Sequence, residues 1–227
     1  MPARGRSDDL ALASPASLLP VPVLMPSRAG HVACGTAPPR LLEDVIEAFL
    51  PQVNTCYRWS RDNVKESGFL SYVSAGGGVT PEPIAYGTRY EITWHWQHPE
   101  ATVAASFHTH PNRKSIPVPS GLDLLGATVR GDHLHYILTM DGRLVGWRFS
   151  EPGKHPKAVD EALRCLNDAR KLGRPFLHFL ERAFEGMVPQ VVTPVYGAQV
   201  TLLADGGIHL QRVAPETLLP APWGKEK

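Results

Sequence analysis

Cysteine is scarce in this chain. The three present, Cys34, Cys56 and Cys165, are odd in number and widely spaced. That argues against a disulfide framework and against a Cys-x-x-Cys zinc site, and it fits a reducing cytoplasm. Net charge is also nearly absent, with 23 Lys and Arg against 22 Asp and Glu. Bulk electrostatics therefore give no reason to expect nucleic acid or a membrane surface as partner. No apolar run approaches the roughly 18 residues of a membrane helix. Leu18 to Met25 is broken by Pro20 and Pro22 and preceded by Asp8 and Asp9, which makes it a poor signal peptide. Gly76-Gly77-Gly78 is followed by no Gly-Lys-Ser/Thr, so it reads as a turn and not a phosphate loop.

What is present is the composition of a globular protein with a real core: 43% hydrophobic and 20% charged over 227 residues. That length suits one moderate domain, or a domain plus an appendage. Residues 1–37 are rich in Ala, Pro, Ser and Leu without a period and read as an N-terminal extension. Arg40 to Leu50 has helical apolar spacing, and Pro51 is expected to end it. Phe69 to Val73 reads as a strand. Ile84 to Trp96 contains strand material, with Ile92, Trp94 and Trp96 alternating. Leu124 to Val129 reads as a helix ending near Gly131. His133 to Leu138 and Leu144 to Phe149 form a hairpin over Asp141-Gly142. Residues 151–227 read as two helices, Ala158 to Leu172 and Pro175 to Phe184, then two strands around Asp205-Gly206-Gly207.

Chemistry concentrates in Ala105-Ser106-Phe107-His108-Thr109-His110-Pro111. Small and apolar residues before His108 mark a buried strand. Positions i and i+2 of a strand face one side, so His108 and His110 present two imidazoles together. Pro111 stops the ladder. Ser120-Gly121-Leu122-Asp123 follows and places a carboxylate nearby. Two histidines and a carboxylate are three protein ligands, the set of a zinc site that keeps one position open for water. Each fragment also has a plain reading. His-x-His occurs on exposed strands, and Ser-x-x-Asp before an apolar run is a capping box. A second His-x-His pair, His133 and His135, has no Pro, Ser or Asp in ligand order behind it and reads as an outward strand face. Trp94 and Trp96 read as core, the alternative being one wall of a substrate groove.

Taken together and in order, His-x-His-Pro and Ser-x-x-Asp resemble the JAMM motif of the MPN+ (JAB) zinc metalloproteases. The resemblance covers roughly residues 40–150. The gap from Asn112 to Pro119 is longer than the family's usual spacing, so the loop must bulge to place Asp123. The resemblance implies a domain over 38–150 with an α/β (α+β) fold: a cytidine-deaminase-like mixed sheet flanked by helices, here with a C-terminal helical and hairpin appendage. It implies Zn2+ on His108, His110 and Asp123, with Ser120 helping to hold the oxyanion. It also requires an upstream glutamate as general base. Glu66, in Glu66-Ser67-Gly68 before an apolar run, looks like the family's Glu-x-Gly. Glu82 and Glu91 compete, but neither has a glycine two positions on before such a run.

The implied activity is hydrolysis of an amide bond at the C-terminus of a ubiquitin-like protein or its conjugates. The compact domain looks most like prokaryotic members, which often act beside bacterial conjugation-like enzymes, including those of anti-phage systems. Two other readings stand beside it. One is a non-catalytic MPN scaffold. The other is a zinc hydrolase on a small-molecule or DNA-repair-linked substrate.

Overall fold

The computed structural model describes residues 45–73, 78–94, 101, 103–112, 116–132, 134–149, 182 and 188–220. The N-terminal extension, most of the glycine turn, His95, Trp96, His98, His133 and the expected helices after residue 150 lie outside these, save for helical Arg182.

Two helices open the described chain, α1 (Val45–Ala48) and α2 (Leu50–Asn63). Pro51 does not end a helix. It sits in the first turn of α2, where its missing amide proton would have had no partner anyway. Val53, Cys56, Tyr57 and Ser60 then recur at helical spacing and are buried.

The strands are β1 (Ser67–Val73), β2 (Val79–Pro81), β3 (Ala85–Tyr86), β4 (Val103–His110), β5 (Leu134–Thr139), β6 (Arg143–Phe149), β7 (Val192–Leu202) and β8 (Ile208–Arg212). They form one mixed sheet in the order β2-β1-β4-β5-β6-β7-β8, with β3 also on β1. The strand expected over Ile84 to Trp96 is confined to Ala85–Tyr86 among the described residues. β7 pairs with β6 and β8 with β7, so the strands expected as a C-terminal hairpin extend the central sheet.

β4 and β5 run parallel, and the other described pairs are antiparallel. The crossover between β4 and β5 carries α3 (Gly121–Arg130), which Gly131 ends in the left-handed conformation, at φ 72°. A helix α4 (Val188–Val191) precedes β7. Both faces of the sheet are covered. Phe69, Phe107, Tyr136 and Leu138 pack with α1 and α2 on one face, and Ile137, Val145 and Trp147 pack with α3 on the other. The period-2 alternation of β4 therefore sends Phe107 to the first face and Ser106, His108 and His110 to the second.

β1 and β4 lie in unusually close contact at Gly68, which pairs with His108. A Cβ on Gly68 would come within 2.1 Å of the Phe107 carbonyl oxygen and 2.9 Å of the His108 Cα. Thr109, between the two histidines, faces the other way. Its Oγ1 accepts from the Ser67 amide at 3.0 Å, donates to the Ser67 carbonyl at 3.1 Å and meets the buried Ser60 hydroxyl of α2. Thr109→Val keeps the shape and removes those bonds, leaving buried groups without partners. It is expected to cost about 2 kcal/mol and to lower Tm by roughly 4–8 °C. Thr109→Ser should keep most of the loss at bay. Thermal melts followed by circular dichroism would check both.

Candidate metal centre

The parallel crossover carries the chain from the carboxyl end of β4 into the start of α3, a place where open α/β sheets bind ligands. Ser120 caps α3 and accepts from the Asp123 amide at 3.1 Å. Asp123 returns the contact through Oδ2, which accepts from the Ser120 amide and hydroxyl, both at 2.8 Å. The capping box is thus real, and it aims Asp123 at the histidines. Asp123 Oδ1 lies 3.5 Å from His108 Nε2, and Oδ2 lies 3.8 Å from His110 Nε2. An acidic residue in the first turn of a helix is also stabilised by the helix dipole.

Glu66 arrives from the other side. Continuing the antiparallel register of Gly68 with His108 by two places sets Glu66 opposite His110. Its backbone is bonded to Thr88 and Gly87. Glu66, His108, His110, Ser120 and Asp123 all line one cleft of about 490 Å3. Glu91 lines it as well, whereas Glu82 is buried elsewhere. Trp94 is half-buried on the cleft wall with the Arg130 guanidinium 5.5 Å above its ring, so it is not core.

One residue of the cleft escapes a local reading. His135 does not face outward. It is 1% exposed and lines the cleft. The parallel register puts it beside Ser106, two residues before His108 on the same face. The three imidazoles stand in a row, with ring centres 4.8 Å apart from His110 to His108 and 4.9 Å apart from His108 to His135.

Hydrogen bonds settle two of the ring tautomers. His110 Nδ1 donates to the Ile116 carbonyl at 3.0 Å and leaves Nε2 for the cleft. Ser106 donates its one hydroxyl proton to Asp132 Oδ2 at 2.7 Å. His135 Nδ1 must therefore donate to the Ser106 oxygen, and Nε2 keeps its lone pair. Arg130 holds Asp132 in turn, with Nη2 at 2.6 Å.

Comparison with known protein families, with curated proteins and with solved structures gives no match. The site therefore has to be judged on its own donors.

Those donors fit a metal ion. Ligand atoms of His108, Asp123 and His135 lie within 4.8 Å of one another, and this group could hold a cation. His135 Nε2 is buried without a hydrogen-bond partner, a costly state for a polar atom unless something else binds it. The charges agree. Burial pushes His108 down to about 4, although Asp123 pulls the other way. Burial, with His108 adding to it, holds His135 well below the usual imidazole range. Burial works against the Asp123 carboxylate, but His108, His110 and the other imidazole outweigh it and hold its pKa well below the usual value. Neutral imidazoles and an ionised carboxylate are the forms that bind metal. His110 differs. Burial opposes its charge, but Asp123 and Glu66 outweigh that and raise it.

Glu66 is pushed up to about 8 by burial first and then by the Asp123 charge. A carboxyl raised on folding favours the folded state below its unfolded value of 4.5, and that contribution is lost as the pH climbs to about 8. In metal-free protein, Glu66→Gln should therefore raise Tm at pH 8 by several degrees and change it little at pH 4.5. Paired melts at the two pH values would check this. An equal shift at both would show that the effect is not the carboxyl's ionisation.

Proposed function

We propose that this chain is a zinc-dependent isopeptidase or peptidase that hydrolyses an amide bond at the C-terminus of a ubiquitin-like protein. The observation that carries the reading is the convergence of Glu66, His108, His110, Ser120 and Asp123 on one cleft, from the positions the JAMM resemblance names. His108 and Asp123 would hold the zinc, with His110 completing the set from the more open side. When bound, zinc supplies a water of lowered pKa and polarises the scissile carbonyl.

The chain's own groups divide the remaining work. Glu66 accepts the proton of the attacking water and delivers it to the leaving nitrogen. Its raised pKa suits a group that must both take and give a proton near neutral pH. Ser120 spends its hydroxyl proton on Asp123 Oδ2, so it must swing away from that oxygen to meet a developing oxyanion. The Ile116 carbonyl fixes the His110 tautomer. Ubiquitin-like conjugates, and bacterial conjugation-like enzymes acting beside them, are the partners this reading implies. The cleft volume, about 490 Å3, also suits a small amide substrate. Among the described residues no helix is long and apolar enough to cross a membrane.

The test joins a ubiquitin-like protein through its C-terminus to a lysine side chain and follows release of the free carboxylate by mass spectrometry, with small acyl-amides in parallel. Glu66→Gln should retain zinc by plasma mass spectrometry and lose cleavage by about 1,000-fold. Cleavage of the small amides alone would move the substrate class. Zinc-loaded wild type that cleaves neither would leave the scaffold reading in its place.

A further inference from the structure

We infer that His135 Nε2 is itself a metal ligand, so that the deepest coordination set of this cleft is His108, Asp123 and His135. This rests on the reading of the cleft as a metal centre and not on amide cleavage. Oxygen availability argues for it first. Asp123 Oδ2 already accepts two hydrogen bonds from Ser120, at 2.8 Å each. Oδ1 is the less engaged oxygen, and it faces His108. His110 faces the oxygen that the capping box occupies.

Burial argues for it next. Side-chain exposure is 16% at His110 and 3% at His108, and His135 is 1% exposed as a residue. Most buried histidines that serve packing alone satisfy both nitrogens. Here the Ser106–Asp132–Arg130 chain fixes the proton on Nδ1 and leaves Nε2 bare. That is the support usually given to a metal-bound imidazole, one nitrogen held by an acceptor and the other turned to the ion. The donor set, two imidazoles and a carboxylate, suits Zn2+, Co2+ or Ni2+. Tetrahedral ligands at about 2.1 Å from zinc stand roughly 3.4 Å apart. The trio, within 4.8 Å, has to draw together by a modest amount.

The test is a Co2+ titration of metal-free full-length protein, read by the visible absorption of the ion and by calorimetry. His135→Asn is the main variant, because its amide can still donate to Ser106 while the Nε2 donor is gone. It should weaken binding by more than the ~10–100-fold that loss of an outer partner costs, and it should alter the cobalt spectrum. Ser106→Ala keeps Nε2 and should weaken binding within that 10–100-fold range. Melts of the metal-free variants report whether each remains folded. If Ser106→Ala and a folded His135→Asn match wild type in affinity and spectrum, the inference is overturned and the motif histidines alone hold the ion. Should His135→Asn fail to fold, the Ser106→Ala titration decides alone. Wild type that binds no Co2+ or Zn2+ would instead remove the metal-centre reading itself.

Discussion

The cleft depends on how tightly β1 and β4 are held together. Thr109 bonds both backbone groups of Ser67 and reaches Ser60 on α2. Gly68 lets the strands meet where any side chain would strike the Phe107 carbonyl. The His-x-His unit is therefore two-sided. Its histidines point to the cleft, and the residue between them fixes the strand from which Glu66 projects. A position one place out of register would turn the imidazoles into the core and Thr109 into the cleft.

The second organising element is the crossover from β4 through α3 to β5. It does two things with one helix terminus. The Ser120–Asp123 box satisfies orphan amides, and the same carboxylate stands 3.5 Å from His108. Structural capping and ligand placement are not rival readings of Ser-x-x-Asp here, because one carboxylate has two oxygens. Burial sets the state of the imidazoles, and the neighbouring imidazoles, against burial, set the state of the carboxylate. Imidazoles in a space too dry for cations stay neutral, and the carboxylate among them stays ionised. Of the three cleft histidines, the one inclined to hold a proton is His110, which faces both Asp123 and Glu66. Metal binding to it must release that proton.

Much of this was readable locally. The β4 strand, the cap at Ser120, the stop at Gly131 and the Asp141-Gly142 turn each have a signature within a few residues. Glu66 was legible only through the Glu-x-Gly resemblance, and the structure puts that glycine at the close strand contact. His135 was not readable, since its direction is set by the parallel register of β5 on β4, a pairing between distant segments that no local alternation encodes. Its hydrogen-bond chain through Ser106, Asp132 and Arg130 is equally non-local. Pro51 misled because proline stops a helix in its interior and starts one in its first turn, and Phe49 supplies the break. Trp94 alternates like a strand residue yet lies in a loop on the cleft wall.

The segment between Pro111 and Ser120 is moored at its far end. His110 Nδ1 donates to the Ile116 carbonyl, and Trp147 Nε1 donates to the Pro117 carbonyl at 2.8 Å. These two bonds, one to the site and one to the core, set where the chain enters α3. The number of residues spooled out before Ile116 then has little leverage on Asp123, since lengthening a loop costs only slowly growing closure entropy. Spacing within the motif is for this chain a slack variable, and the tether points are what selection would have to preserve.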